Sequence, residues 1–537
     1  MRAATLLAVM ILGCGPGGGR ASDGGGDDDD APPATDGGGI DAFAGPWSDF
    51  PAAPIVEGGA PAGAPGLFGD PASGAATGGP CLVEPEVGTL YPNNWLRPRF
   101  SWSPGAGENL YELRLTTANQ VNPLVVYTSA TQWTMPAAMW AGLTAHAIDQ
   151  PITVTVRGAT FSGGVLTAGP ARGTSGDIAI APVDAPGAIV YWTTTGGSAL
   201  RGFHIGDETV RDIVRPTTAG AGVRCIGCHG STPDGEFVGF AASPVPDNGD
   251  PTTLGLRSSD GMGTEPAFLT AAARALMARQ GQEQPAFTDA HWQPGDRVAI
   301  TMFPIGGRFE IMWTDLEATS QAQGQGWGVV ARTGDANPAG YASFFHTTDD
   351  LLYVSAPNIA SGMTTTSGDL ARVPYAARQG GAAATIPGAN SPSLNEYYPT
   401  ASPDDRYVAF NRVPVGQSSY DNAQAEVFVI PSAGGQPVRL AANTPPTCSG
   451  RTSPGVTNSW PKWAPATADV GARRFYWLTF SSRRGASNLP QLYVTPVVDD
   501  GGTLRTYPAL YLWNQPAGES NHTPAWDDFD IVIGKRR

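Results

Sequence analysis

Apolar and polar positions alternate with a period of two along most of the chain after residue 80. Tyr111, Leu113 and Leu115 alternate with Glu112 and Arg114, and Ile152, Val154 and Val156 alternate with Thr153 and Thr155. Such a period turns one face of a strand to a core and the other to water. Similar runs at 97–102 and 124–128, separated by turn residues such as those at 103–107, predict a small β-sandwich over residues 81–185. Trp95, Trp102, Trp133 and Trp140 belong to its core and corners. Period-3.6 signals are scarce; an Ala-rich stretch at 268–279 predicts one short helix.

From residue 186 the pattern repeats. Thr232-Pro-Asp-Gly-Glu-Phe-Val-Gly-Phe240 aligns with Ser402-Pro-Asp-Asp-Arg-Tyr-Val-Ala-Phe410. Further copies begin at Gln293-Pro, His346-Thr, Trp460-Pro-Lys-Trp and His522-Thr-Pro-Ala-Trp. Each copy reads as a short strand, a Pro-Asp-Gly-like turn and an apolar strand. Proline presets φ, Asp bonds back to the backbone, and Gly or Asp tolerates the left-handed region. Copies lie about 50–65 residues apart, as four-stranded units require.

These residues resemble the TolB-type propeller repeat, a relative of WD-type propellers. The resemblance covers residues 186–537 and implies a six-bladed β-propeller. The last copy has about ten residues after it, while the strand-like runs at 188–193, 199–205 and 209–215 lack a first strand. The C-terminal strand is therefore expected to complete the blade begun near residue 188, closing the ring and removing sheet edges. The sandwich is similar, by pattern alone, to a fibronectin type III or immunoglobulin-like module. The fold class is thus all-β.

Composition sharpens the N-terminus. Residues 3–12 are apolar except Thr5, follow Arg2, and are too short to span a bilayer. Ile11-Leu12-Gly13-Cys14 resembles a bacterial lipobox. That implies a signal peptide at 1–13, a lipidated Cys14, and an outer-membrane lipoprotein of the cell envelope held to the membrane through its lipid. An ordinary signal peptide with an incidental Cys is the alternative. Residues 14–80 are rich in Gly, Pro and Asp, with the acidic run at 27–30, and are expected to form a disordered tether. The chain carries a net charge of −16, which argues against nucleic acid as a partner. Of 32 basic residues only two are Lys, Lys462 and Lys535, a bias of the kind that GC-rich coding produces.

The chemistry concentrates in Cys225-Ile-Gly-Cys228-His229, which matches the Cys-x-x-Cys-His attachment site of c-type haem. In that motif the two thiols bond the porphyrin and the His is an axial ligand of the iron. With five Cys and six His in the chain, coincidence is a poor account. A bare disulfide is the main alternative; zinc would need further ligands. In register with Pro399 and Pro524, His229 starts an inner strand, so the single haem c is expected at a channel mouth. His522, Met262 and His291 are candidate distal ligands. Cys81 and Cys448 either pair or remain buried thiols. The function expected is electron transfer with a redox or envelope partner protein. The alternatives are a TolB-like scaffold lipoprotein without a redox role and a peroxidase-like haem enzyme.

Overall fold

The computed structural model describes residues 45–245, 252–360 and 363–531. The expected signal peptide, Cys14 and the acidic run lie outside them.

The fold is all-β. Its N-terminal part has a six-stranded sheet and a three-stranded sheet. The first is built on Leu110–Thr116, Leu124–Thr128, Ile152–Ser162 and Val165–Ile180, and the second on Cys81–Glu84, Arg99–Ser103 and Gln132–Thr134. The alternating residues Leu113, Leu115, Val154 and Val156 are fully buried between them. The four tryptophans named above are buried too, as their positions suggested.

Residues 45–80, expected within the tether, are instead packed on this sheet. Ile55–Glu57 pairs in parallel with Val126 to Thr128. Phe50 and Phe68 are 1% exposed, and the Trp47 ring stacks on His146 at 3.8 Å. The bulky residues of this Gly- and Pro-rich segment are few, and its two phenylalanines are buried. Phe68 packs with Leu110, Val125 and Tyr127, which offsets the ordering of the chain between.

Apart from a two-stranded pair of Ala331–Thr333 with Gly380–Ala382, the remaining chain forms six successive sheets. Their first strands are Cys225–Ser231, Glu283–Ala286, Ala339–Phe344, Leu394–Ala401, Ser459–Trp463 and Asn521–Asp527. Each touches the next, and the last touches the first, so they close a propeller-like cycle. The closing sheet joins the two ends of this region: Asn521–Asp527 pairs antiparallel with Ala188–Thr193, followed by Ala199–His204 and Arg211–Val214. The Ala-rich stretch folds as helix Ala271–Met277, its first turn capped by the Thr270 hydroxyl accepting from the Ala273 N–H at 3.0 Å.

The two parts share one core. Phe100, Trp102 and Leu113 belong to the same buried cluster as Trp477, Leu492 and Trp526. Cys81 and Cys448 form a disulfide across 367 residues of sequence. Beside the apolar core, Glu86 and Arg484 make a buried ion pair at 2.9 Å.

Candidate functional site

All six first strands line a single channel of about 310 Å³. Each carries a break in register at the equivalent position: after Gly227, Glu283, Gly340, Tyr397 and Ser459, and opposite the Val190–Trp192 step in the closing sheet. The bulged residues are Cys228, Gln284, Tyr341, Tyr398, Trp460 and Thr523, and all six line the channel. Five of them hold φ between 45° and 55°. For a residue with a Cβ, and most for β-branched Thr523, that region costs about 1–2 kcal/mol. Proline follows the bulge in four strands (Pro285, Pro399, Pro461, Pro524), where a skipped ladder bond leaves no use for its missing N–H. The repeat thus turns one side chain per sheet into a ring around the lumen, and Cys228 occupies one of the six seats.

Cys228 therefore faces the channel, with Gln284 in hydrogen-bonding contact. Burial first, then Glu283 and Cys225, push its thiol up to about 12, so it stays protonated at neutral pH and is no activated nucleophile. His229 lines the same lumen. Burial lowers its imidazole to about 4, and Nε2 lies 3.0 Å from the Val190 carbonyl oxygen. A neutral ring beside a carbonyl donates that N–H, which leaves Nδ1 as a lone-pair donor. Nδ1 is buried and has no hydrogen-bond partner among the described residues. Metal-bound imidazoles have this arrangement, one nitrogen donating to a backbone carbonyl and the other on the metal. Cys225 differs: it is 1% exposed, packed with Val190, Trp192, Ile226 and Phe240. Of the motif, Cys228 and His229 thus lie on the lumen, while the second thiol is turned into the packing between sheets.

The structure separates the three distal candidates. His522 is the residue immediately before the ring seat of Thr523, paired across the sheet with Trp192. Its ring lies 4.7 Å from that of Trp192 and 5.2 Å from that of Trp460. Burial, then Arg483 and His229, lower it to about 3, and its Nδ1 also lacks a partner among the described residues. None of the three is among the residues that line the channel. Met262 is 76% exposed on a loop that does not line the channel. His291 bonds Asp296 at 2.7 Å and Asp349 at 3.1 Å, so both its nitrogens are engaged. Its turn copy aligned correctly, but the first strand of that sheet is Glu283–Ala286. The intervening residues carry His291 past the channel wall. Gln284-Pro285-Ala286-Phe287, matching Trp460-Pro461-Lys462-Trp463, was the signal for the true strand.

Lys462, Asp527 and the aromatic ring seats were not expected from sequence. Lys462 lines the channel, and burial lowers its ammonium from the ordinary value. Burial raises Asp527 to about 7, with Asp528 and Asp289 adding to the effect.

The neutral histidines give a pH dependence. An imidazole whose folded pKa lies below its unfolded value of about 6.5 contributes stability that is complete above that value and is lost as pH falls toward the folded pKa. For His522 the window runs from about 6.5 down to about 3. The stability difference between the protein and its His522→Gln variant should fall by about 2 kcal/mol between pH 7 and pH 4.5. Urea unfolding at the two pH values measures it; a constant difference would mean that His522 titrates alike in the folded and unfolded chain.

No protein-family model matches the chain, and no curated protein matches it in sequence. Among solved structures it is similar to Kuenenia stuttgartiensis hydrazine synthase, at 14% identity over 52% of this chain and 73% of that one, with a TM-score of 0.29. It is also similar to a prolyl endopeptidase, at 10% identity over 61% and 49% with a TM-score of 0.31. An oligogalacturonate lyase in complex with manganese matches at 14% identity over 60% and 73%, again with a TM-score of 0.31. At these TM-scores the likenesses carry no argument about function.

Proposed function

We propose that this protein is an exported, lipid-anchored six-bladed propeller, fronted by an immunoglobulin- or fibronectin-like sandwich. It holds one haem c at its channel and transfers electrons to a redox or envelope partner. The observation that carries this reading is the pairing of Cys228 with His229 on the channel wall, the imidazole neutral and oriented by Val190 with one nitrogen unused. The Cys-x-x-Cys-His spacing supports covalent attachment. The closed cycle of six first strands supports the blade count. When bound, the haem supplies a one-electron couple. The chain's own residues would hold the ligand imidazole in one tautomer, through the Val190 carbonyl oxygen.

The test is production of the full chain with a c-type maturation system, followed by a pyridine haemochrome assay on denatured, washed protein. One covalent haem per chain with a low-spin spectrum is expected. Absence of covalent haem would overturn the proposal, and a high-spin spectrum with peroxide turnover would replace electron transfer by catalysis.

A further inference from the structure

Lys462 is the one lysine among the described residues, in a chain of 30 Arg and two Lys. It sits deep in the channel wall. Among the described residues, no carboxylate lies within ion-pair distance of it and no acceptor bonds it. Asp527, Cys228 and His229 are the titratable groups whose charge it senses. Of these, Asp527 has its carboxyl raised by burial, so that it offsets the ammonium only in part. Lys462 is partly exposed to the lumen, and an unpaired ammonium in a confined channel is met by a ligand anion that the lumen admits.

The layer around Lys462 leaves that access. Its equivalents in the other five strands are Gly230, Ala286, Ser343, Thr400 and Ala525, all small. One long cation therefore projects into a cross-section that nothing else fills. Two residues earlier, the ring seats change character. Tyr341, Tyr398 and Trp460 are consecutive around the channel: the Tyr341 and Tyr398 rings lie 4.6 Å apart, and those of Tyr398 and Trp460 stack at 5.3 Å. One arc of the lumen is thus aromatic, and the cation stands beside it. A compact ammonium on a flexible stem suits a single carboxylate at the bottom of a narrow lumen better than a wide guanidinium does.

We propose that Lys462 is the carboxylate anchor of the channel, and that its ligand is a planar conjugated molecule lying against Tyr341, Tyr398 and Trp460. That chemistry has two sources, a propionate of haem or a free aromatic acid. The inference does not depend on covalent attachment of haem.

Two titrations on the full chain, produced without haem maturation, distinguish the sources. Haemin and its dimethyl ester are compared by Soret absorbance, and 2-naphthoate and 2-naphthamide by calorimetry. In at least one pair the carboxylate binds about tenfold or more tighter than its neutral analogue, as a charge-assisted hydrogen bond implies. Lys462→Met abolishes that preference. Thr400→Glu, which sets an acid in the same layer, abolishes it too and serves as the second variant. Thermal unfolding verifies that each variant is folded. A preference confined to haemin assigns the anchor to a propionate, and a preference for naphthoate assigns it to a free acid. The inference is overturned if neither carboxylate is preferred, or if the preference survives in the folded variants. A chain that prefers naphthoate but never carries covalent haem would keep this inference and lose the haem proposal.

Discussion

Cys228→Ala should abolish covalent haem, whereas Cys225→Ala should retain it through one thioether. The two cysteines differ in what surrounds them. Cys228 occupies a ring seat on the lumen, level with Tyr341 and Tyr398, and sits next to the imidazole that would take the iron. Cys225 lies three residues earlier, before the bulge that turns the strand, and its side chain packs between two sheets. Alanine at 225 removes a small buried group and costs about 1 kcal/mol in stability. Haemochrome spectra of the two purified variants decide the matter. A haem left with one free vinyl group has its band shifted toward that of protohaem, so the unmutated protein and the Cys225 variant are both expected to show that single-thioether band at full occupancy. If both substitutions remove the haem equally, Cys225 must leave its packing during attachment, and the first strand is seated differently in the loaded protein.

Much of this arrangement was legible in the chain, for identifiable reasons. The strand-like runs located Leu110–Thr116 and Leu124–Thr128 to the residue, although both strands prove buried on both faces over most of their length. The Pro-Asp-Gly-like turns located the second strands at Phe237–Ser243, Asp296–Ile305, Asp350–Ser355 and Tyr407–Pro414, because turn chemistry is local. The short final copy implied that Asn521–Asp527 pairs with Ala188–Thr193, as it does. Three features escaped. The segment 45–80 has the composition of a leash, yet scattered aromatics such as Phe50 and Phe68 dock into clefts that only the folded sheet creates. His291 was placed by its turn, although extra residues between strand and turn displace it from the lumen. Lys462 read as an ordinary member of a Trp-Pro-Lys-Trp repeat. Its isolation is visible only when five small residues from distant parts of the chain come to the same level.

A chain ending at Ser520 should fail to form a stable monomer. It lacks the strand that supplies five register partners to Ala188–Thr193, from Thr193 with Asn521 to Ala188 with Asp527. It also loses Trp526, which is 5% exposed and whose indole N–H bonds the Pro186 carbonyl at 2.7 Å, and Asp530, whose N–H bonds the Gly235 carbonyl at 2.9 Å. Burial of one large side chain contributes about 1.5–3 kcal/mol, so loss of the whole strand approaches the total stability of a domain. All six residues of Ala188–Thr193 are buried in the closed ring, and truncation turns them into an open apolar edge that recruits other chains. Size-exclusion chromatography should show aggregate, and circular dichroism should show no cooperative thermal transition. A synthetic peptide of residues 521–531 added during refolding should restore monomer, because it returns the missing ladder without a covalent link. A truncated chain that unfolds cooperatively at the full-length temperature would mean that the six sheets hold together without closure. The ring seats at Cys228 and Thr523 would then no longer be fixed across the channel by the closing strand.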